Sequence, residues 1–263
     1  MKRCRSGILW DEDDVEDILH KYVNLEKSSR TIAKNYNVDK GSILKLLKQK
    51  EVTRKRGYRK YRVNDKYFDT INTEEKAYWL GMIAADGNVY KNTLQLGLQK
   101  QDKEHLLKFR NAINSTHKLI SLDKNQYSLQ IYSKNLVQSL KQYYIVPNKH
   151  KIVKPPNINK KLMSHYWRGV FDGDGHIGCY KGKWHISICG NELMLNEYAC
   201  YVKKICNTMA QVRKQTNSSA YIFKVGGNLI TPQLANSLYK GSTELIRLNR
   251  KYSKYLTMKK ELI

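Results

Sequence analysis

The sequence predicts an α+β fold: two pseudo-symmetric αββαββα repeats preceded by a small all-α domain. Three observations predict it. A ten-residue segment recurs once, Asp86 in the first copy matching Asp174 in the second, an offset of 174 − 86 = 88. Strand-like and helix-like patterns follow each copy in the same order, and the first fifty residues carry only short helical patterns.

The chain holds 48 Lys and Arg against 23 Asp and Glu, a formal charge of +25. Such an excess points to a polyanionic partner, nucleic acid first, although a merely basic protein has the same composition. No stretch approaches the roughly 18 apolar residues of a membrane span, and no long basic amphipathic helix marks a membrane surface. The opening Met-Lys-Arg-Cys-Arg-Ser lacks the apolar core of a signal peptide, so a cytoplasmic location is expected. Five cysteines suit a reducing compartment, and Cys179, Cys189, Cys200 and Cys206 lack the paired spacing of a zinc site.

Residues 1–51 form the all-α domain. Asp11 to Asn24 reads as a helix with an acidic first turn and an apolar face of Ile18, Leu19, Tyr22 and Val23. Ser28 or Ser29 caps a short helix bearing Ile32 and Ala33, Asn37 suits a tight turn, and a second helix runs from Lys40 to Lys50. This resembles a helix-turn-helix of the invertase/resolvase type. The resemblance implies that Ile43, Leu46 and Leu47 pack inward and Ser42, Lys45 and Lys48 face DNA; a plain structural hairpin is the alternative. A linker, 52–70, follows. Its segment 52–66 carries seven basic residues and one acidic. Arg54, Lys55, Arg56, Arg59, Lys60 and Arg62 suit a phosphate backbone, or a solvated tether.

The repeat carries the chemistry. Tyr78-Trp79-Leu80-Gly81-Met82-Ile83-Ala84-Ala85-Asp86-Gly87 returns as Tyr166-Trp167-Arg168-Gly169-Val170-Phe171-Asp172-Gly173-Asp174-Gly175. Gly81 and Ala85, like Gly169 and Gly173, are four apart, a small-residue stripe that lets two helices approach closely. Gly87 and Gly175 stand where a helix end takes a left-handed residue. Asp86 and Asp174 then lie side by side in the last turns. Helix C-termini are already negative, so a positive group is expected there, most economically a divalent metal. Asp172-Gly-Asp174-Gly-His176 is no calcium loop, because Ile177 stands where Gly is needed and Lys183 where Glu is needed.

Trp79 to Gly87 and Trp167 to Gly175 resemble the nine-residue motif of the LAGLIDADG homing endonucleases, in their double-motif, single-chain form. Each keeps the middle Gly, the penultimate Asp and the final Gly; Ala84 and Arg168 depart from the pattern. The repeats would be 71–160 and 161–263, the second ending in a basic helix, Ser242–Leu262. Hairpins are predicted over 88–99 and 118–133, and over 177–189 and 212–225, each followed by a helix, with residues 145–164 as a bridge.

The family resemblance implies hydrolysis of one phosphodiester per strand, leaving short 3′ overhangs and promoting mobility of the protein's own gene or intron. It implies Mg²⁺, with Mn²⁺ or Ca²⁺ able to take the same sites, held by Asp86, Asp174 and the carbonyls of Ala85 and Gly173. Gln99 would organise solvent, its counterpart lying near Cys189, and Lys224 would be the basic helper. The partner would be double-stranded DNA with a long specific target, bound by a monomer in a bacterial or phage-infected cell, or in an organelle. Strand alternation turns Asn88, Tyr90, Gln95, Ser128, Gln130 and Tyr132 outward in the first repeat. In the second it turns out His176, Tyr180, His185, Ser187 and Lys224. Such a face can read base edges or be an ordinary solvated surface. An intron maturase and a DNA-binding regulator with an inactive nuclease core are the alternative functions.

Overall fold

The computed structural model describes residues 2–4, 7–54, 61–216 and 218–262. The chain divides into two compact units, the first ending at Tyr61 and the second beginning at Arg62. No helix among the described residues is long and apolar enough to cross a membrane.

The first unit opens with a short antiparallel pair, β1 (Lys2–Cys4) and β2 (Gly7–Leu9), which the sequence patterns do not announce. Helices α1 (Glu12–Val23), α2 (Ser29–Asn35) and α3 (Lys40–Gln49) follow. Each starts on a side-chain cap: Asp11 accepts from the Asp14 amide, Ser28 from Thr31, and Asp39 from Gly41 and Ser42. Such caps satisfy amides that no helical carbonyl reaches. Asn37, in the turn between α2 and α3, takes the left-handed conformation with φ 51°. Ile18, Ile32, Ile43 and Leu47 form the centre of a small core.

The expected linker is shorter than 52–70. Val52 packs on the first core and its amide donates to Leu47 O at 3.1 Å. Tyr67 and Phe68 are buried in the core of the second unit, because their rings pack edge to face and Phe68 reaches Phe109.

The second unit contains both repeats. The first runs α4 (Glu74–Asp86), β3 (Gly87–Tyr90), β4 (Thr93–Gln99), α5 (Lys103–Ala112), β5 (Leu119–Ser121), β6 (Gln126–Tyr132) and α6 (Lys134–Lys141). The second runs α7 (Met163–Asp174), β7 (Gly175–Tyr180), β8 (Lys183–Gly190), α8 (Glu192–Cys206), β9 (Val212–Lys214), β10 (Tyr221–Gly226) and α9 (Ile230–Tyr239). A last helix, α10 (Asn249–Glu261), closes the chain. It starts later than expected because buried Ile246 and Leu248 hold the preceding stretch extended at Arg247. Each repeat forms a four-stranded antiparallel sheet, ordered β3-β4-β6-β5 and β7-β8-β10-β9.

Alternation places Leu94, Leu96 and Leu98 of β4, and Trp184, Ile186 and Ile188 of β8, on the buried sides. The repeated Trp ties each central helix to its own repeat. Trp79 packs on Phe109 of α5 at 5.0 Å between ring centroids, and Trp167 packs on Tyr198 of α8 at the same distance.

Candidate active site

Helices α4 and α7 meet backbone to backbone, as their glycine stripes require. A methyl group on Gly81 would stand 2.0 Å from Tyr166 O, and one on Gly169 would stand 2.0 Å from Tyr78 O. One carbon at either position would push the two repeats apart. A methyl on Gly173 would meet Ala85 Cβ at 2.4 Å and Asp86 Oδ2 at 3.0 Å. The glycine stripe therefore brings the last turn of α7 directly onto Asp86.

Gly87 and Gly175 are not left-handed caps. Their φ values are −73° and −88°, extended in both, and each helix passes straight into a strand. Glycine is needed there for space. An added Cβ would lie 2.6 Å from Ile83 O in one copy and 2.2 Å from the Phe171 ring in the other. The crowding comes from the preceding turn of the helix, folded back beside a strand that leaves without a loop.

Asp86 and Asp174 end the two helices. Asp86 is half-buried and Asp174 is exposed. Loss of hydration, then the Asp174 charge, raises the Asp86 carboxyl to about 6, and loss of hydration raises that of Asp174 as well, against the pull of Lys149 and Lys251. Two carboxyls that resist ionising in one place mark a deficit of positive charge.

Two lysines partly meet that deficit. Lys149 Nζ donates to Ala85 O at 2.8 Å. Lys251 is 3% exposed, and its Nζ donates to Phe171 O and Asp172 O at 2.7 Å and to Gly173 O at 3.2 Å. Burial lowers both ammonium groups, Lys251 to about 8, while the carboxylates oppose the effect. The carbonyls of Ala85 and Gly173, expected as metal ligands, therefore carry lysine ammonium groups. The two carboxylates remain as the hard donor pair. Among the described residues no three His, Cys, Asp or Glu side chains are placed to hold a metal ion together. A cleft of about 300 Å³ opens beside Ala85, Lys149, Asp174, Cys189 and Asn191.

Behind Lys251 lies a buried polar knot. Asp172 accepts from Tyr78 OH at 2.8 Å, Tyr239 OH at 2.5 Å and the Leu248 amide at 2.8 Å. It thereby fixes the start of α10, from whose first turn Lys251 reaches back. Arg168, where the second copy departs from the motif, is buried and donates to Ile246 O and Leu238 O. The first repeat has Ala84 at the place of Asp172, and Lys149 opens a short 3₁₀ turn, Lys149–Lys151.

The expected helpers are differently placed. Gln99 is exposed and accepts from Gln101. Pairing of Gly87 with Leu96 and of Gly175 with Ile188 aligns Gln99 with Asn191 rather than with Cys189. Asn191 is committed elsewhere, capping α8 at the Met194 amide and donating to Val153 O. Lys224 is exposed on the outward face of β10, paired in register with Ser187.

That outward face continues across β7 and β8 with His176, Tyr180, His185 and Ser187, and β9 adds Arg213 beside Ile222. Burial first, then nearby lysines, keeps His176 and His185 below the ordinary imidazole range. On the first sheet Asn88, Gln95 and Gln130 form one cross-strand row, with Tyr90, Thr93 and Tyr132 in the next. Ser128, expected in the open, is fully buried on its strand between Gly97 and Ile120.

In the first unit Lys45 and Lys48 are exposed on α3, while Ser42 Oγ is bound to Asp39. Arg54 is drawn into the unit itself, its guanidinium over the Tyr22 ring and bonded to Tyr22 O and Lys27 O. Arg62 is exposed. Lys55, Arg56, Arg59 and Lys60 lie outside the described residues. Cys179, Cys189, Cys200 and Cys206 are free thiols.

No family model matches the chain, and no curated protein matches it. Among solved structures, meganuclease I-SmaMI bound to uncleaveable DNA is similar at 9% identity over 70% of this chain and 91% of that one, with a TM-score of 0.49. LAGLIDADG meganuclease I-AabMI bound to uncleaved DNA is similar at 16% identity over 70% and 91%, with a TM-score of 0.46. Full-length DUF199/WhiA from Thermatoga maritima is similar at 14% identity over 74% and 66%, with a TM-score of 0.47. These are likenesses at low identity; what the chain does has to come from its own residues.

Proposed function

We propose that the chain is a site-specific homing endonuclease of the LAGLIDADG kind, hydrolysing one phosphodiester on each strand of duplex DNA. The observation that carries this reading is the pair Asp86 and Asp174, crowded together at the negative ends of two helices whose backbones touch. Such a site is costly to build and has no evident structural use.

The two carboxylates suit Mg²⁺, a hard cation that takes few protein ligands and keeps water. Held by Asp86 and Asp174, it would supply an acidified water and charge neutralisation at the leaving 3′ oxygen. The chain's own residues do the rest. Lys149 and Lys251 hold fixed positive charge beside the carboxylates, where charge builds up on a phosphate under attack. Asp172 holds the start of α10 and so the position of Lys251. The two sheet faces orient the duplex, and exposed Lys45 and Lys48 of α3 add a second contact with it.

The test starts from duplexes that the full chain enriches from a randomised library. In Mg²⁺ these are expected to be cut on both strands, and chelation is expected to stop cutting. Asp86→Asn and Asp174→Asn should each abolish double-strand cleavage. Full cutting by either variant would falsify the reading. So would a failure to cut any enriched duplex alongside promotion of intron RNA splicing, the result that a maturase gives.

A further inference from the structure

The two sheet faces of the second unit are chemically unlike. Within a chain of formal charge +25, the central row of the first face is three neutral amides, Asn88, Gln95 and Gln130, flanked by tyrosines. Gln95 and Gln130 are half-buried, and none of the three amides bonds another side chain among the described residues. A half-buried amide without a partner loses hydration for nothing until a ligand supplies the bonds. The second face presents cations instead: Lys224 is in register with Ser187, and Arg213 with Ile222.

Resting on the nuclease reading, we infer that the first repeat reads an adenine-bearing half-site and the second a guanine-bearing one. An amide carries a donor and an acceptor side by side, the complement of adenine N6 and N7 in the major groove. A lysine or guanidinium carries donors alone, which match guanine O6 and N7 and leave the adenine amino group without an acceptor. The first face therefore favours A and disfavours nothing by charge, whereas the second favours G and draws on phosphate attraction as well. Specificity in the first half is insensitive to salt, and affinity in the second falls as salt rises.

Enrichment of bound duplexes from a randomised library, sequenced for the full parent chain and for variants, tests this. The parent should select a target with A at one or more positions of one half and G in the other. Gln95→Arg and Gln130→Arg should each move one A position toward G by roughly tenfold, a gain that misfolding cannot produce. Lys224→Gln should relax a G position in the opposite half and lower the slope of log affinity against log salt by about 1. Selection of like composition in both halves overturns the inference, as does a change by Gln95→Arg and Lys224→Gln in the same half. Enrichment of no duplex at all removes the nuclease reading itself, and this inference with it.

Discussion

Replacing Asp86 by Asn should stabilise the second unit at neutral and alkaline pH while removing cleavage. Burial and the Asp174 charge hold the Asp86 carboxyl at about 6, against 3.8 when unperturbed. Between those values the folded chain keeps a proton that the unfolded chain has released. Stability therefore falls as pH rises from about 4 to about 6, and the loss is complete above that range. A carboxyl raised by about two pH units weakens the folded state by at most roughly 3 kcal/mol. Asp86 is only half-buried, and solvent screening reduces the expectation to about 1–2 kcal/mol. Asn cannot ionise, so the variant should gain this amount at pH 8 relative to its difference from the parent at pH 4. Urea unfolding in the presence of a chelator measures it, followed by the fluorescence of Trp79 and Trp167, both buried in the second unit. A pH-independent difference between the two chains, or a variant that loses stability between pH 4 and pH 8 relative to the parent, would refute the electrostatic argument.

Three further outcomes follow from the same geometry. Gly169→Ala should lower the stability of the second unit by about 3 kcal/mol or more, read by the same unfolding assay, because its Cβ would meet Tyr78 O at 2.0 Å and Met82 N at 2.7 Å. Lys251→Met should slow single-turnover cleavage about 100-fold. Burial lowers the Lys251 ammonium to about 8, so the parent's rate should decline above that pH as the charge is lost, and the decline should vanish in the variant. Asp172→Asn leaves at least one of three donors, Tyr78 OH, Tyr239 OH and Leu248 N, without its acceptor. It should cost about 1–3 kcal/mol and slow nicking of one strand more than the other; equal slowing of both strands would make Asp172 a structural group only.

The repeat and the order of strands and helices were legible because they are local. Tyr, Trp, Gly, Asp and Gly recur at one offset, and alternation places Leu94, Leu96 and Leu98 inside. Pairwise packing across the chain was not legible in the same way. Gly87 and Gly175 are glycines because Ile83 and Phe171, one helical turn back, crowd them where the helix passes straight into a strand, a change of backbone direction that looks like a cap in one dimension. Lys149 and Lys251 went unnoticed because they follow the last helices of their repeats at a spacing of 251 − 149 = 102, not the 88 that relates the aspartates. A longer β7 and β8 shift the match again, pairing Leu96 with Ile188 at 92, so that Asn191 and not Cys189 aligns with Gln99. Ser128 is on the strand face that alternation assigns, yet neighbours cover it.

The contact of Gly81 with Tyr166 O and of Gly169 with Tyr78 O makes the distance between the two carboxylates a property of main chain. Side chains on the sheets can be exchanged without touching that ruler. If the chain cuts DNA as proposed, an engineer who rewrites Gln95, Gln130 or Lys224 to choose new targets should therefore find the stagger between the two cuts unchanged, and the ends left on the DNA the same length as before.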